Sequence, residues 1–362
     1  MKHTPLYQEH MAMGGQMANY KGYALPNQYL GVEDEHRSVR EKSGLFDRSY
    51  LTRVLILGPN AAVCVQRITT NDVSEMAEGD CEYTLVCNDK GGIMDDVIIY
   101  KWDEKTFGMT IHPENRTKIL AHLKAHGLPG AKVLDVTEKT AQINIQGPHS
   151  KRILSSICKH LPERPYRCHE TKIVGRMCFI ASIGFSGEQA YEIFCSASHA
   201  AQLWREILDA SDEDEPIPCG TDAWASLCLE AGVPVYGQEL TEEVTPFEAG
   251  LGQFVRPLQG EFVGKRALDR QVLQGVPRKL IGLVMEGDQA PHSGALVYDY
   301  GVPCGRITNA GWAPYVQQQV AMALVNRSFL EEKEHDFAVE SGTERLACHM
   351  EKLPFYKTIQ RY

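Results

Sequence analysis

The sequence predicts an α+β fold followed by a separate small β unit, and two observations support this. Up to about residue 270, segments with helical periodicity alternate with short apolar segments typical of strands. From Lys279 onward only short strand-like runs broken by glycines remain. With 362 residues, of which 43% are hydrophobic, the chain can form two or three units with their own cores.

The elements follow in order along the chain. In the first half the patterns predict strands at 52–57, 93–101, 107–112, 131–136 and 141–146, and helices at 60–68 and 113–127. In the second half they predict helices at 146–158, 198–211 and 221–232, and a β-hairpin across 178–195. The segment "DRQVLQGVPRK", residues 269–279, is predicted to be the linker to the C-terminal β unit.

Composition excludes several classes of protein. The net charge of -10 and the pI of 5.7 argue against a nucleic-acid or anionic membrane partner, which would require a basic face. No apolar run approaches the roughly 18 residues of a membrane span, and "MKHTPLYQEHMAMGGQ" resembles no signal or transit peptide. The 11 cysteines are scattered, without a C-x-x-C motif. We therefore expect a cytoplasmic protein with buried free thiols and no metal site.

The sequence also lacks the motifs of several enzyme classes. It contains no phosphate-binding G-x-x-x-x-G-K-[ST], no dinucleotide-binding G-x-G-x-x-G after a strand and no H-E-x-x-H. The stretch "GFSGE" has Glu188 where a nucleophile elbow needs its second glycine. Phosphate-cradling enzymes, the common metalloproteases and serine hydrolases are therefore not expected.

Two predicted strands contain carboxylates among apolar residues. In "GGIMDDVIIY" these are Asp95 and Asp96, and in "GFSGEQAYEIF" it is Glu192. Since an unpartnered buried carboxylate is costly, each is either held structurally or used for acid/base chemistry or ligand binding, and the pattern leaves both open. Neighbouring side chains on a strand point to opposite faces, so Asp95 and Asp96 are expected to have separate roles. Glu192 is suited to accept two hydrogen bonds from a guanidine-like ring edge, as in a pterin.

Nine ordered motifs resemble the glycine cleavage T protein family, which includes folate-dependent demethylases such as dimethylsulfoniopropionate demethylase. The resemblance covers most of the chain, from Thr4 to about Tyr356. The motifs are "TPLYQEH", "LPNQY", "EHRSVREKSGLFD", "TNDV", "GGIMDDVIIY", "IQGP", "GFSGEQAYEI", "EAGVPVYGQELTEEVTPFEAGL" and "FVGKRAL".

The resemblance implies a three-lobed, cloverleaf-like fold around an opening for tetrahydrofolate. The expected units are a discontinuous folate-binding α+β domain at 1–50 plus 140–270, a ferredoxin-like lobe at 51–139 and a barrel-like β domain at 279–362.

The resemblance also implies site residues. Asp96 corresponds to the family's catalytic carboxylate, near the reactive nitrogens of the folate, and Asp95 is then structural. Glu192 corresponds to the glutamate that binds the pterin. Tyr83 and Tyr236 correspond to two tyrosines that contact the folate.

The sequence departs from the family around this expected pocket. The family's "FDVSHM" is "FDRSYL" here, which introduces Arg48 and Tyr50, and "NA-x-N" is "HPEN", which introduces His112. Trp224 stands where the family has a folate-facing arginine, and Tyr23 stands where it has tryptophan. Because tryptophan cannot replace the bidentate contact of an arginine, the folate pose or the one-carbon donor is expected to differ.

These departures favour a methyl donor, such as a small amine, sulfonium or ether, as the source of the one-carbon group. An aromatic box of Tyr23, Tyr50 and Trp224 would hold a cationic donor, by cation–π attraction. For a neutral ether, His112 or Tyr50 would serve as general acid, and Arg48 would pair with a substrate carboxylate. Trp224 is assigned to the folate or to the substrate.

Two alternatives to a folate-dependent methyltransferase stay open. One is aminomethyl transfer in glycine cleavage, with a lipoyl carrier protein as partner. The other is a non-catalytic, folate-binding regulatory protein. A corrinoid protein also remains a candidate source or sink for the one-carbon group.

Overall fold

The computed structural model describes residues 1–211, 216–256, 260–331 and 334–357. These residues form eight α-helices and twenty β-strands. The helices are α1 Tyr7–Ala12, α2 Val32–Glu41, α3 Ala61–Ile68, α4 Arg116–His126, α5 Ser150–Ile157, α6 Ala200–Leu208, α7 Thr221–Glu230 and α8 Lys265–Gln274.

The strands build three larger sheets and a small N-terminal one. They are β1 Lys2–His3, β2 Gln16–Tyr20, β3 Tyr23–Gln28, β4 Gly44–Asp47, β5 Thr52–Leu57, β6 Cys81–Cys87, β7 Ile93–Asp103, β8 Thr106–Ile111, β9 Lys132–Asp135, β10 Thr140–Gln146, β11 Cys168–Ile173, β12 Arg176–Ala181, β13 Ala190–Ser196, β14 Ile217–Pro218, β15 Arg278–Met285, β16 Leu296–Asp299, β17 Val302–Ala313, β18 Gln318–Asn326, β19 Phe337–Ser341 and β20 Glu344–Glu351.

The first large sheet comes from one continuous stretch of chain and has the order β6-β7-β8-β5-β9. Helix α3 packs on it through Ala61, Val65 and Ile68, whose spacing places them on one helical face. Helix α4 joins the same core through Ile119 and Leu123. The unit has five strands, one more than the four of the βαββαβ unit expected for a ferredoxin-like lobe.

The second sheet is assembled from two distant parts of the chain. Its order is β11-β12-β13-β10-β4-β14, so the chain leaves this sheet after β4 and returns to it at β10. Residues Leu45, Ile143, Ile145 and Ile193 form its core together with α6. The predicted discontinuous domain requires a sheet of this kind. Its boundaries, 1–50 plus 140–270, and those of the lobe at 51–139 stay predictions.

The C-terminal strands form a closed barrel in the order β15-β18-β17-β16-β19-β20, with β20 pairing back to β15. The predicted unit at 279–362 includes residues 332–333 and 358–362, which lie outside the described residues. The closed barrel and the mixed α and β architecture before it confirm the expected fold class.

The predicted linker at 269–279 is wrong for most of its length. Helix α8 continues to Gln274, because the stretch from Lys265 lacks glycine and proline and buries Leu268 in a core. Gly275, with a φ of 92°, ends the helix, and only residues 275–277 remain between α8 and β15.

All eleven cysteines are buried and free, as the sequence predicted. Among the described helices, none is both long enough and apolar enough to cross a membrane.

Candidate active site

A cavity of about 370 Å³ lies where the sheets and the barrel meet, a size typical of small-molecule sites. Its wall includes side chains from β7, β8, β10, β13 and α7, and Asn309 from β17 of the barrel. The cavity brings together eight of the nine residues that the sequence predicts for the site. They are Arg48, Tyr50, Tyr83, Asp96, His112, Glu192, Trp224 and Tyr236.

A larger groove of about 1070 Å³ opens elsewhere on the surface, between β11 and the end of β7. Its lining includes Trp102, Arg167 and Phe179, and among the described residues none of the predicted site residues reaches it. The chemistry is therefore sought in the smaller cavity.

Asp95 is completely buried, and its contacts are those of the structural residue that the resemblance implies. Its carboxylate accepts hydrogen bonds from the backbone N–H of Asp96 and the backbone N–H of His112, both at 3.1 Å. It also accepts from Nδ1 of His112 at 2.8 Å and from the side-chain amide of Asn115 at 2.9 Å. Four donors satisfy the carboxylate, so Asp95 fixes the start of the loop after β8.

Asp96 lies on the cavity wall, with one carboxylate oxygen, Oδ1, buried without a hydrogen-bond partner among the described residues. Burial raises the pKa of Asp96, while His112 acts in the opposite direction. Burial alone would lower the pKa of His112, but the charges of Asp96 and Asp95 outweigh it and raise that pKa. The site thus holds an acid and a base that each influence the other's protonation.

The two aspartates come closer together than strand alternation predicts. One oxygen of Asp95, one oxygen of Asp96 and Nδ1 of His112 lie within 4.8 Å of one another. A β-bulge at Met94, where the pairing with β6 shifts by one residue, twists the strand just before the pair and accounts for this. This triad has the composition of a metal site, but Asp95 already satisfies its oxygens within the fold, and we interpret the triad as a hydrogen-bonded group.

Glu192 is 1% exposed and faces the cavity from β13. Its carboxylate accepts hydrogen bonds from the side-chain amides of Gln142 at 2.8 Å and Asn144 at 3.1 Å, both on the neighbouring strand β10. Burial raises the pKa of Glu192, and the charge of Arg48 partly offsets that rise. The carboxylate retains capacity to accept from a ligand.

The guanidinium of Arg48 lies against two of the aromatic side chains that the sequence assigned to a cationic substrate. Its guanidinium carbon lies 3.8 Å from the centre of the Trp224 ring and 5.2 Å from that of Tyr50. Its Nη1 donates to the hydroxyl of Tyr50 at 2.5 Å. The predicted cation box is therefore filled by a cation of the protein itself.

Tyr23, the third member of that predicted box, was placed wrongly. Among the described residues that line the cavity, Tyr23 is not found. It packs instead in a cluster with Leu25, Tyr50 and Leu51, behind the cavity wall. Tyr20, which is opposite Tyr23 in the register of β2 and β3, lines the cavity instead.

The two predicted folate tyrosines lie on the cavity wall in different settings. Tyr83 is buried, and burial and the charge of Asp96 raise its pKa. Tyr236 places its ring 6.1 Å from that of His112 at an angle of 26°, and its hydroxyl accepts from Nζ of Lys118 at 2.9 Å. Both tyrosines are available as walls for a planar ring.

Sequence reasoning missed Gln142 and Asn144, which hold Glu192. Their signal was present in the strand "AQINIQ", where polar residues at every second position, including Gln146, share one face. The structure buries all three, and Gln142 also lines the cavity. Buried polar side chains at every second position of this strand therefore indicated a functional site beside the strand.

Comparisons with known proteins agree with this picture. The family described as "GCVT N-terminal domain" matches residues 6–258, and the "Glycine cleavage T-protein C-terminal barrel domain" matches residues 278–357. The chain is 34% identical to an aminomethyltransferase of Halalkalibacterium halodurans, over 99% of this chain and 98% of that one. It is 36% identical to an aminomethyltransferase of Rubrobacter xylanophilus, over 99% of this chain and 95% of that one.

A solved structure gives the same result. The crystal structure of the glycine cleavage system aminomethyltransferase T from Bartonella henselae aligns with a TM-score of 0.90 and 26% identity, over 98% of both chains. The expectation of a tetrahydrofolate-dependent transferase is thus confirmed at the level of the family, and this chain belongs to the glycine cleavage T protein family.

Proposed function

We propose that the chain transfers the carbon of an aminomethyl group from a lipoyl carrier protein to tetrahydrofolate in the cytoplasm. The carbon–nitrogen bond breaks with release of ammonia, the carbon–sulfur bond breaks to leave a thiol on the lipoyl arm, and the two N–H hydrogens of the folate pass to these leaving groups. The observation that carries this proposal is the placement of Asp96 and Glu192 on the wall of one cavity, in a chain that aligns over nearly its whole length with aminomethyltransferases. The proposed donor is therefore an aminomethyl group, whereas the sequence favoured a methyl donor.

The cavity residues fit a tetrahydrofolate. Two polar atoms on its wall, Nε of Arg48 and Oε1 of Gln142, are buried without a hydrogen-bond partner among the described residues, and Oδ1 of Asp96 makes no hydrogen bond but lies 3.5 Å from Nδ1 of His112. A ligand that carries both donors and acceptors on a planar ring would satisfy them, and a pterin is such a ring. Glu192 would hold the N–H edge of the pterin, and Tyr83 and Tyr236 would form walls beside it.

Tetrahydrofolate, when bound, supplies the nitrogen nucleophiles that accept the one-carbon group. Asp96, on the cavity wall with a raised pKa, holds or accepts a proton at Oδ1 where those nitrogens would lie. His112 directs Nδ1 at Asp95, so Nε2 is the ring atom that can give a proton to the departing amine as its carbon–nitrogen bond breaks.

The position of Arg48 weighs against a sulfonium or quaternary ammonium donor. Such a donor needs an aromatic surface free of other cations, and the guanidinium of Arg48 already stacks on Trp224. A second cation placed there would be repelled.

A neutral methyl ether or a methylated amine is a second candidate donor, because His112 is oriented by Asp95 as a general acid requires. Tyr50 is a less suited acid, since burial raises its pKa well above the usual value.

A panel of donors separates the two candidates. The purified protein is incubated with tetrahydrofolate and either aminomethylated lipoyl carrier, methylated amines, methoxyaryl compounds or sulfonium compounds, and the folate product is identified by mass spectrometry. We expect methylenetetrahydrofolate and ammonia from the lipoyl carrier alone. Formation of 5-methyltetrahydrofolate from a small donor, with no product from the carrier, would instead establish a demethylase.

A further inference from the structure

The guanidinium of Arg48 uses little of its hydrogen-bonding capacity. An arginine has five N–H donors, and the residue is only 7% exposed. Among the described residues, the hydroxyl of Tyr50 is the acceptor it reaches, and its Nε is buried without a partner. Buried donors on a charged group are rarely left unpaired, so the arrangement indicates an acceptor supplied by a ligand.

Arg48 is also held in place before any ligand arrives. Its backbone N–H donates to the carbonyl of Gln142 at 2.9 Å, and its own carbonyl accepts from Leu51 at 3.1 Å. Its side chain lies against Trp224 of α7 and is anchored at its tip by Tyr50. A charged group with a fixed orientation is suited to recognise one atom of a ligand.

The side chains near Arg48 on the same wall offer acceptors. Glu192 lies close enough for each group to influence the pKa of the other, yet no ion pair within 4.0 Å joins these two described residues. Gln142, which donates to Glu192, has its Oε1 buried and unpaired. The wall therefore presents donors and acceptors next to each other, with room between them.

The pyrimidinone edge of a pterin has the complementary pattern. Its ring N–H and exocyclic amino group are donors, and the carbonyl oxygen at position 4 beside them is an acceptor. We infer that Arg48 donates a hydrogen bond to this carbonyl oxygen while Glu192 accepts from the adjoining N–H groups, so that the two residues together orient tetrahydrofolate. The inference rests on the proposed function, because it takes tetrahydrofolate as the ligand of this cavity.

This inference gives Arg48 and Trp224 different roles from those expected from the sequence. A substrate carboxylate at Arg48 would lie close to the negative charge of Glu192, which disfavours it. Trp224, predicted to touch folate or substrate, becomes a positioning residue that holds the guanidinium at 3.8 Å. Tyr50 supports the same guanidinium from its other end.

The test compares two ligands that differ at a single position. Tetrahydrofolate has the carbonyl at position 4, and tetrahydroaminopterin has an amino group there, which replaces the acceptor for Arg48 by a donor and also leaves the neighbouring ring nitrogen without the hydrogen that Glu192 would accept. Dissociation constants are measured anaerobically by isothermal titration calorimetry, without turnover. The native protein is expected to bind tetrahydrofolate at least about 10- to 100-fold more tightly, the range for one hydrogen bond to a charged group, because the hydrogen bonds to Arg48 and to the carboxylate of Glu192 are both affected.

Arg48→Met keeps an unbranched apolar stem but removes the guanidinium and with it every donor. We expect tetrahydrofolate to bind about 10- to 100-fold more weakly than to the native protein, and the preference over tetrahydroaminopterin to fall by a similar factor, while the part of the preference that comes from Glu192 remains. Arg205→Met, on the exposed side of α6, is the matched control and is expected to change neither value. Trp224→Leu is expected to give an intermediate preference, since the guanidinium remains but loses its support.

The remaining outcomes are distinguishable. If Arg48→Met does not fold, Arg48→Lys takes its place and is expected to retain part of the preference through a single flexible donor. The inference would be overturned if Arg48→Met kept the native preference for tetrahydrofolate over tetrahydroaminopterin, or if Arg48→Lys and Trp224→Leu each kept it. The proposed function would be unaffected by that result. A native protein that binds neither ligand would overturn the proposed function itself.

Discussion

Nδ1 of His112 lies 2.8 Å from Oδ1 of the fully buried Asp95, which orients the imidazole beside Asp96. Two neighbouring aspartates on one strand therefore act on the same histidine in different ways. Asp95 is enclosed by donors and holds the loop, whereas Oδ1 of Asp96 makes no hydrogen bond among the described residues and lies 3.5 Å from Nδ1 of His112 in the cavity wall. This difference leads to opposite expectations for the two carboxylates.

Asp95→Ala is expected to destabilise the protein by about 3 kcal/mol or more. The substitution leaves the amide of Asn115, the imidazole of His112 and two backbone N–H groups without their acceptor in a buried region. Urea unfolding followed by circular dichroism measures the change. A loss below about 1 kcal/mol would show that Asp95 is not the structural member of the pair.

Asp96→Asn is expected to change stability little and to lower kcat by about 100-fold or more. The amide keeps the shape of the carboxylate but cannot accept a proton, and general acid/base contributions have this size. Steady-state turnover with aminomethylated lipoyl carrier, together with the same urea titration, checks both parts. Full turnover in Asp96→Asn would remove Asp96 from the catalytic assignment.

Glu192→Gln is expected to weaken tetrahydrofolate binding and at the same time to raise the melting temperature at neutral pH. Burial raises the pKa of this carboxyl from its ordinary value of 4.5, so the folded state binds its proton more tightly than the unfolded state does. Stability is then lost as the pH rises from about 4.5 through the folded-state pKa, and the neutral glutamine avoids that loss.

Calorimetric titration and differential scanning calorimetry measure these two effects. A hydrogen bond to a charged group corresponds to about 10- to 100-fold in affinity. Gln202→Glu, on the surface of α6, is a control that should leave the affinity unchanged. Native affinity in Glu192→Gln would argue against a pterin at this carboxylate.

His112→Asn is expected to remove part of the pH dependence of stability. The charges of Asp96 and Asp95 raise the pKa of His112 above its ordinary value of 6.5 in spite of burial, while Lys21 opposes them. The stabilisation that protonated His112 provides is therefore fully present below pH 6.5, and it is lost as the pH rises through the folded-state pKa of His112.

Melting temperatures of the native protein and of His112→Asn are compared between about pH 5.5 and 9. The stability advantage of the native protein should shrink toward high pH, whereas the exposed variant His292→Asn should follow the native curve throughout. A difference in melting temperature between the native protein and His112→Asn that does not change with pH would contradict the raised pKa of His112.

Much of the fold was predictable because local patterns and tertiary structure agree. The strand at Ile93 and the helix beginning at Thr221 stand where periodicity placed them. Helix α2 and strand β6 were not predicted, since charged residues dominate α2 and β6 mixes polar and apolar residues. The linker at 269–279 was misjudged because Gly275 and Pro277 indicate a break only after the helix has ended.

The sequence pointed to most of the predicted residues that line the cavity but not to the contacts among them. The resemblance pointed to Asp96 and Glu192, and both line the cavity. The stacking of Arg48 on Trp224 joins residues 176 positions apart in sequence, a pairing that no local pattern contains. The same limit explains Tyr23, whose direction depends on the register of β2 against β3.

The most direct test of the proposed aminomethyl transfer follows one labelled carbon. Aminomethylated lipoyl carrier with ¹³C in the aminomethyl group is mixed with tetrahydrofolate and the native protein, and the label is followed by NMR while ammonia is assayed. We expect the ¹³C to appear as the methylene group of methylenetetrahydrofolate, with one ammonia for each label transferred, and Asp96→Asn to slow this transfer by about 100-fold or more. A label that stays on the carrier, while a small methylated donor yields 5-methyltetrahydrofolate, would contradict the proposed aminomethyl transfer.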